Sequence, residues 1–366
     1  MENHTNQLQI DKIDSFMKIE SVIDKGFRWL NPKDFPETIR GFAWFNKEEI
    51  YRRLPKEPRF KIPEAVDTLA DCTSGGQIRF TTDARKLAVK VRLSGTAGMV
   101  HMPATGQCGF DCYMESAGKM KFYGITMYNH RISDYEYTFF DGNENCERNI
   151  ILNFPLYQGV QEVWVGVDEA AAVFKPYPFK NKKRAVFYGT SITQGGCASR
   201  PGMSYTNILS RLLDTECINL GFSGNGKGEP ELAKIIGDID NIGCIVLDYE
   251  ANTIKEGSLK KTLGTFIEIL REVHKEVPIL VLSKIKYANE HFSSEGKNLR
   301  LELAQFQKDL VDKLRNQGDA NIYFYDGSQL LGDDFDECTV DGVHPTDLGF
   351  SRMAYRLVDV IHNIMG

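Results

Sequence analysis

The sequence predicts an α/β protein in which a parallel sheet, covered by helices on both faces, follows a β-sandwich. Two observations carry this. Up to about residue 180, short β-prone runs are punctuated by turn residues, with no long helical pattern. Beyond it, five apolar runs alternate with segments of helical spacing. A chain of 366 residues is long enough for two domains. The expected division is 1–178 for a jelly-roll-like N-terminal sandwich and 179–366 for the α/β part.

The first half offers QIRFTT (77–82), KLAVKVRLSG (86–95), KMKFYGITMY (119–128), YEYTFF (135–140), ERNIILNF (147–154) and QEVWVGV (161–167) as strands. Turns such as Ser74-Gly75-Gly76 and Asp141-Gly142-Asn143 separate them. KEEIYRRL (47–54) reads as a short helix, and KPYPFKNKKR (175–184) as a linker. The expected strands of the second half are AVFYGT (185–190), CINLGF (217–222), CIVLDY (244–249), PILVLSK (278–284) and NIYFYDG (321–327). Helical segments follow each, the last of them covering 348–365.

Composition sets bounds on function. Apolar residues make up 42% of the chain, charged residues 26%, and the net charge is −6. These are ordinary values for a soluble globular protein. The densest basic run, Lys180 to Arg184, suits a solvated linker better than a nucleic-acid patch. No run approaches the roughly 18 apolar residues that span a bilayer. The N-terminus MENHTNQLQIDKID lacks a basic segment followed by an apolar one, so a cytoplasmic location is expected. Eight cysteines at irregular spacings, without a CxxC pair, read as free and mostly buried thiols. Cys108 and Cys112 stand four apart without a partner pair for zinc. No particular oligomeric state is demanded, and a homo-oligomer is compatible with the sequence.

In a parallel α/β sheet, functional groups gather at the carboxyl ends of the strands. The first strand of this half ends in GTSITQGG, where Ser191 stands at the turn from strand to helix. It reads equally as an N-cap or as a nucleophile. The sequence fits neither the G-x-S-x-G elbow nor a phosphate-binding loop. The second strand ends in GFSGNGKG (221–228), which is a plain tight turn, a phosphate cradle or a source of a backbone N–H for an oxyanion. The third ends in LDYEANT (247–253), where Asn252 is a donor or a loop cap. Near the C-terminus lies DGVHPTDLG (341–349). Of seven histidines, only His344 has a carboxylate, Asp341, three residues before it in a Gly/Pro loop at this edge of the sheet. His274 and His362 fall in helical patterns as surface or capping residues.

Each signal alone is weak. Together, separate strand-end loops supply a Ser, a Gly, an Asn and a D-x-x-H, which are the parts acyl transfer needs. In this order the segment 185–366 resembles the SGNH, or GDSL-like, hydrolases, which have a flavodoxin-like three-layer fold. The resemblance implies Ser191 as nucleophile, with Thr190 where many members carry Asp. It implies His344 as base and Asp341 as its orienting partner. The oxyanion hole would comprise the Ser191 and Gly224 N–H groups and Asn252, although DYEAN replaces the usual G-x-N-D. GFDCY (109–113) is similar to the G-x-D-L-Y element of a subgroup with a sandwich before the hydrolase domain, with Cys112 in place of Leu.

The activity so implied is hydrolysis of short-chain, acetyl-type esters, with O-acetylated carbohydrate as a candidate substrate. It requires no metal or organic cofactor, and the expected partner is a small-molecule or oligosaccharide ester, not nucleic acid or membrane. Thr193, Gln194, Tyr249 and Glu250 are candidate rim residues, or simply shape their loops. Two rivals stand beside this reading. One is an acyltransferase using the same groups. The other is a non-catalytic carbohydrate-binding protein, for which Trp29, Trp44 and Trp164 are too scattered to form a sugar platform.

Overall fold

The structure, a computed structural model, describes residues 26–142, 144 and 146–366. The N-terminal segment read for a leader, with His4, lies outside the described residues, as does Asn143 of its turn.

Ten strands precede residue 180: β1 (Phe27–Leu30), β2 (Ile39–Arg40), β3 (Gln77–Thr82), β4 (Lys86–Leu93), β5 (Asp111–Ser116), β6 (Lys119–Ile125), β7 (Asp134–Asp141), β8 (Arg148–Asn153), β9 (Val160–Asp168) and β10 (Val173–Phe174). They form two antiparallel sheets, β1-β9-β4-β7 and β10-β3-β8-β5-β6, with β2 pairing on β3. Alternate residues face inward, as a half-buried strand requires. Leu87, Val89 and Val91 of β4 and Val163, Val165 and Val167 of β9 meet Ile78 and Phe80 of β3 and Ile150 and Leu152 of β8 in one core.

The remaining strands are β11 (Asn181–Gly189), β12 (Thr215–Gly221), β13 (Ile242–Asp248), β14 (Ile279–Leu282) and β15 (Ile322–Tyr325). All five apolar runs expected in this half are strands of one parallel sheet, ordered β12-β11-β13-β14-β15. Apart from the exposed start of β11 and the half-buried edge strand β15, they are buried on both faces, which explains their continuous apolar character. Val186 and Tyr188 of β11 enter one core, beneath the helices Pro230–Gly237, Leu259–Val273 and Ser294–Asn316. Ala185 and Phe187 enter the other, beneath Tyr205–Leu213 and Asp347–Met365. Among the described residues, no helix is long and apolar enough to cross a membrane.

Two expectations are corrected. The basic run Lys182-Lys183-Arg184 is not a linker but the solvent-facing start of β11, where Arg184 pairs with Glu216 at 3.0 Å. KEEIYRRL is helical only to Glu48, because Glu49 takes a left-handed backbone (φ 55°) and stops the turn. Beyond it Arg53, 1% exposed, reaches across to the parallel sheet. It donates to the carbonyls of Cys72 (2.7 Å), Asn219 (3.4 Å) and Gly221. Its guanidinium lies over the Phe222 ring.

Other contacts bind the sandwich to the parallel-sheet half. Asp111 of GFDCY is fully buried, and burial raises its carboxyl pKa, opposed chiefly by Arg200. It accepts from Asn153 Nδ2 (2.7 Å), Gly202 N–H (2.7 Å) and Arg200 Nη1 (3.1 Å). Ser74 Oγ donates to the Gln194 carbonyl at 2.6 Å.

Candidate active site

The strand order places the chemistry. β11 lies between β12 and β13, so the chain leaves the sheet in opposite directions on either side of β11. Such a switch point opens a crevice at the carboxyl ends. The Ser191, Gly224 and Asn252 loops follow β11, β12 and β13, the three adjacent strands. Glycine is required for this convergence: a Cβ on Gly221 would stand 2.2 Å from the Gln194 nitrogen.

Ser191 begins the short helix Ser191–Gln194, but it is not the cap. Thr190 is. Its Oγ1 accepts the Ile192 N–H at 3.2 Å, while Thr193 Oγ1 accepts the Thr190 N–H at 3.2 Å. The Ser191 hydroxyl is therefore free of helix capping, and it lies 2.8 Å from His344 Nε2. On the far side of the ring, His344 Nδ1 is 2.7 Å from Asp341 Oδ2.

The Asp341 loop is built for this contact. Its Oδ1 accepts the N–H groups of Val343 (3.0 Å) and His344 (2.8 Å), and the His344 carbonyl accepts from Val340 N–H at 2.8 Å. Partial burial raises the Asp341 carboxyl, but the His344 backbone and imidazole outweigh it and hold the group below the usual carboxylate range. An ionised Asp341 fixes Nδ1 as the protonated nitrogen and leaves Nε2 to accept the serine proton.

The N–H groups of Ser191 and Gly224 make no hydrogen bond within the protein among the described residues. Gly224 has a left-handed backbone (φ 66°) and open space where a side chain would be. Asn252 Nδ2 donates to the carbonyls of Phe222 (3.2 Å) and Asn225, so it braces the glycine loop.

The four rim candidates are not at the rim. Thr193, Gln194, Tyr249 and Glu250 are at most 2% exposed. Thr193 Oγ1 donates to Asp248 Oδ2 at 2.9 Å. Gln194 accepts the Ser223 N–H at 3.0 Å and donates to the Leu156 carbonyl at 3.2 Å. The Tyr249 hydroxyl meets Thr262, and Glu250 Oε2 accepts from Lys284 N–H and Gln307 Nε2. Their polar groups are turned inward and hydrogen-bonded within the loops they shape.

Three neighbours carried no sequence signal. Asp248, at the end of β13, also accepts from Tyr205 (2.9 Å); burial pushes its carboxyl up to about 7. His101, on a loop of the sandwich, has its ring centroid 5.8 Å from that of His344. Cys197 is buried beside the same loop; burial, with Asp341 adding, pushes its thiol up to about 12. Only the folded chain brings these residues to the site. All eight cysteines are free, six of them buried.

Residues 182–362 match the GDSL-like Lipase/Acylhydrolase family, and residues 27–173 match the GxDLY family, the N-terminus of SGNH-hydrolase-type esterases. No curated protein matches the chain. Among solved structures, a protein described as a GDSL-like lipase from Bacteroides ovatus superposes with a TM-score of 0.84 at 31% identity, over 93% of this chain and 98% of that one. The salicylyl-acyltransferase SsfX3 of a tetracycline biosynthetic pathway follows at 0.74 and 20% identity, covering 91% and 96%. A family two carbohydrate esterase from Clostridium thermocellum, solved with cellohexaose, gives 0.56 at 15% identity, covering 79% and 92%. The chain thus belongs to the GDSL-like lipase/acylhydrolase family, as a hydrolase of esters with a GxDLY-type N-terminal sandwich.

Proposed function

We propose that the protein is a serine esterase working through an acyl-enzyme on Ser191. The observation that carries this is the continuous line Ser191 Oγ–His344 Nε2–Asp341, at 2.8 and 2.7 Å. His344 Nε2 takes the hydroxyl proton as Ser191 attacks the ester carbonyl, and Asp341 holds the imidazole and its cation. The oxyanion is met by the Ser191 and Gly224 N–H groups. Asn252 keeps the Gly224 loop in place, and its longer bond, 3.2 Å to Phe222, is the one an oxyanion competes for. Each such donor contributes roughly 3 kcal/mol to transition-state stabilisation. His344 then protonates the leaving alcohol, and water repeats the attack.

The substrate we propose is a short-acyl, acetyl-type ester of a polar alcohol such as a sugar. The shared fold of a carbohydrate esterase supports testing acylated oligosaccharides first. Hydrolysis of p-nitrophenyl acetate, butyrate and octanoate by wild type and Ser191→Ala tests the reading. Acetate is expected to be fastest, with a loss of at least ~1000-fold in the variant; equal rates in the two proteins overturn it. The likeness to an acyltransferase over nearly the whole chain favours one second reading, transfer to an alcohol other than water. Product analysis with an added acceptor alcohol separates the two.

A further inference from the structure

We propose that His101, Cys197, Asp341 and His344 form a binding site for a zinc-type divalent cation, and that the ion bound there switches the esterase off. The binding stands on geometry alone; the effect on activity rests on the reading of Ser191 and His344 given above.

One ligand atom from each of the four residues lies within 4.8 Å of all the others. A tetrahedral zinc ion with ligands at about 2.0–2.3 Å brings them within about 4 Å of one another. Rotation of the partly exposed His101 side chain covers the difference. The donor set of two imidazoles, a thiol and a carboxylate suits zinc or cobalt. Magnesium and calcium, which take oxygen ligands, do not fit it.

The four residues come from three segments, and each segment is held independently. The loop carrying His101 is clamped by Gln107, which is 4% exposed. Gln107 Oε1 accepts the N–H groups of Gly98 (2.9 Å) and Met99 (3.0 Å), and its Nε2 donates to the carbonyls of Met99 (3.0 Å) and Met102 (2.6 Å). Four bonds from one buried side chain fix the shape of this loop. Cys197 is also buried, with a left-handed backbone at φ 74°. That conformation is unfavourable for any residue but glycine, so the turn does not itself call for cysteine. Asp341 and His344 are locked by the turn already described.

On binding, the Cys197 thiol releases its proton to solvent and the thiolate takes the metal. His344 and Asp341 give lone pairs to the ion, so the imidazole no longer accepts the Ser191 proton. Removal of the ion restores the hydrogen-bonded line.

The test uses full-length protein stripped with a chelator and titrated with zinc chloride against a chromophoric competitor, with magnesium and calcium chloride as controls. One zinc per chain is expected, with esterase activity falling along the same curve and returning on addition of EDTA. Cobalt in place of zinc should show a thiolate charge-transfer band. Cys197→Ala and His101→Ala should keep ester hydrolysis within about threefold, lose the band (Cys197→Ala) and bind zinc roughly 100-fold more weakly, as expected for a missing ligand. Absence of zinc binding to wild type, or equal binding by both variants, overturns the site. Binding of one zinc without loss of activity overturns the switch. A protein that binds zinc through Cys197 and His101 yet hydrolyses no ester sinks the catalytic reading and leaves the site standing.

Discussion

Thr190 caps the helix that Ser191 begins, and this division of labour between neighbouring residues is what frees the Ser191 hydroxyl for His344. The consequences at this scale are measurable. Asp341→Asn keeps the shape of the loop but no longer holds Nδ1–H in place; kcat is expected to fall by roughly 100- to 10,000-fold, with KM little changed. Gly224→Ala places a side chain where there is room, at a backbone angle that costs about 1–2 kcal/mol. A loss of rate without loss of binding is expected as the strained loop turns its N–H away from the oxyanion; unaltered kcat would show that the loop keeps its conformation with a side chain present. Asn252→Ala removes both bonds to the glycine loop, and roughly 100- to 1000-fold in kcat should go with them.

At the scale of elements, the carboxyl ends of β11, β12 and β13 form one surface, and the half-buried Asp248 ends β13 there. It accepts from Thr193 in the Ser191 helix and from Tyr205 in the next helix, tying both to β13. Its folded pKa, about 7, lies above the ordinary aspartate value of 3.8. A raised carboxyl pKa means that its contribution to stability is fully present below the unfolded pKa and is lost as pH rises through the folded one. Wild type should therefore lose a few kcal/mol of stability between about pH 4 and 7 from this group. Asp248→Asn should flatten that decline, which urea unfolding at a series of pH values reads directly. Parallel curves for the two proteins would show that Asp248 stays ionised throughout.

For the whole molecule, the decisive contacts are those that join the sandwich to the parallel sheet. Asp111 holds the loop after the active-site turn through Gly202 and Arg200, while Arg53 reaches the end of β12 just before the Gly224 loop. Both are buried polar groups with partners on each half of the chain, so each is costly to leave unpaired. Asp111→Ala strands the Gly202 N–H and Asn153 Nδ2, breaks the ion pair with Arg200 and should lower stability by about 3–5 kcal/mol. Asp111→Asn, able to keep one acceptor, should lose less. If Asp111→Ala unfolds like wild type, the carboxylate is not a latch between the halves.

The sequence by itself determined the fold class and the five parallel strands, and it singled out Ser191, Asp341 and His344, which the structure brings into one line. Each is a local pattern: a doubly buried strand must be apolar along its length, and a D-x-x-H turn closes within four residues. Tertiary structure decided the rest. Whether Ser191 caps its helix depends on the backbone entering it, and Thr190 takes that role. Thr193, Gln194, Tyr249 and Glu250 belong to the right loops, but which way a loop side chain points is set by what packs against it, and here it is inward. His101, Cys197 and Arg53 have no local pattern at all. Cys197 comes to the site through the turn after the Ser191 helix, whereas His101 reaches it, and Arg53 the end of β12, because the sandwich docks on the parallel sheet, a contact between distant segments that no spacing within the chain encodes.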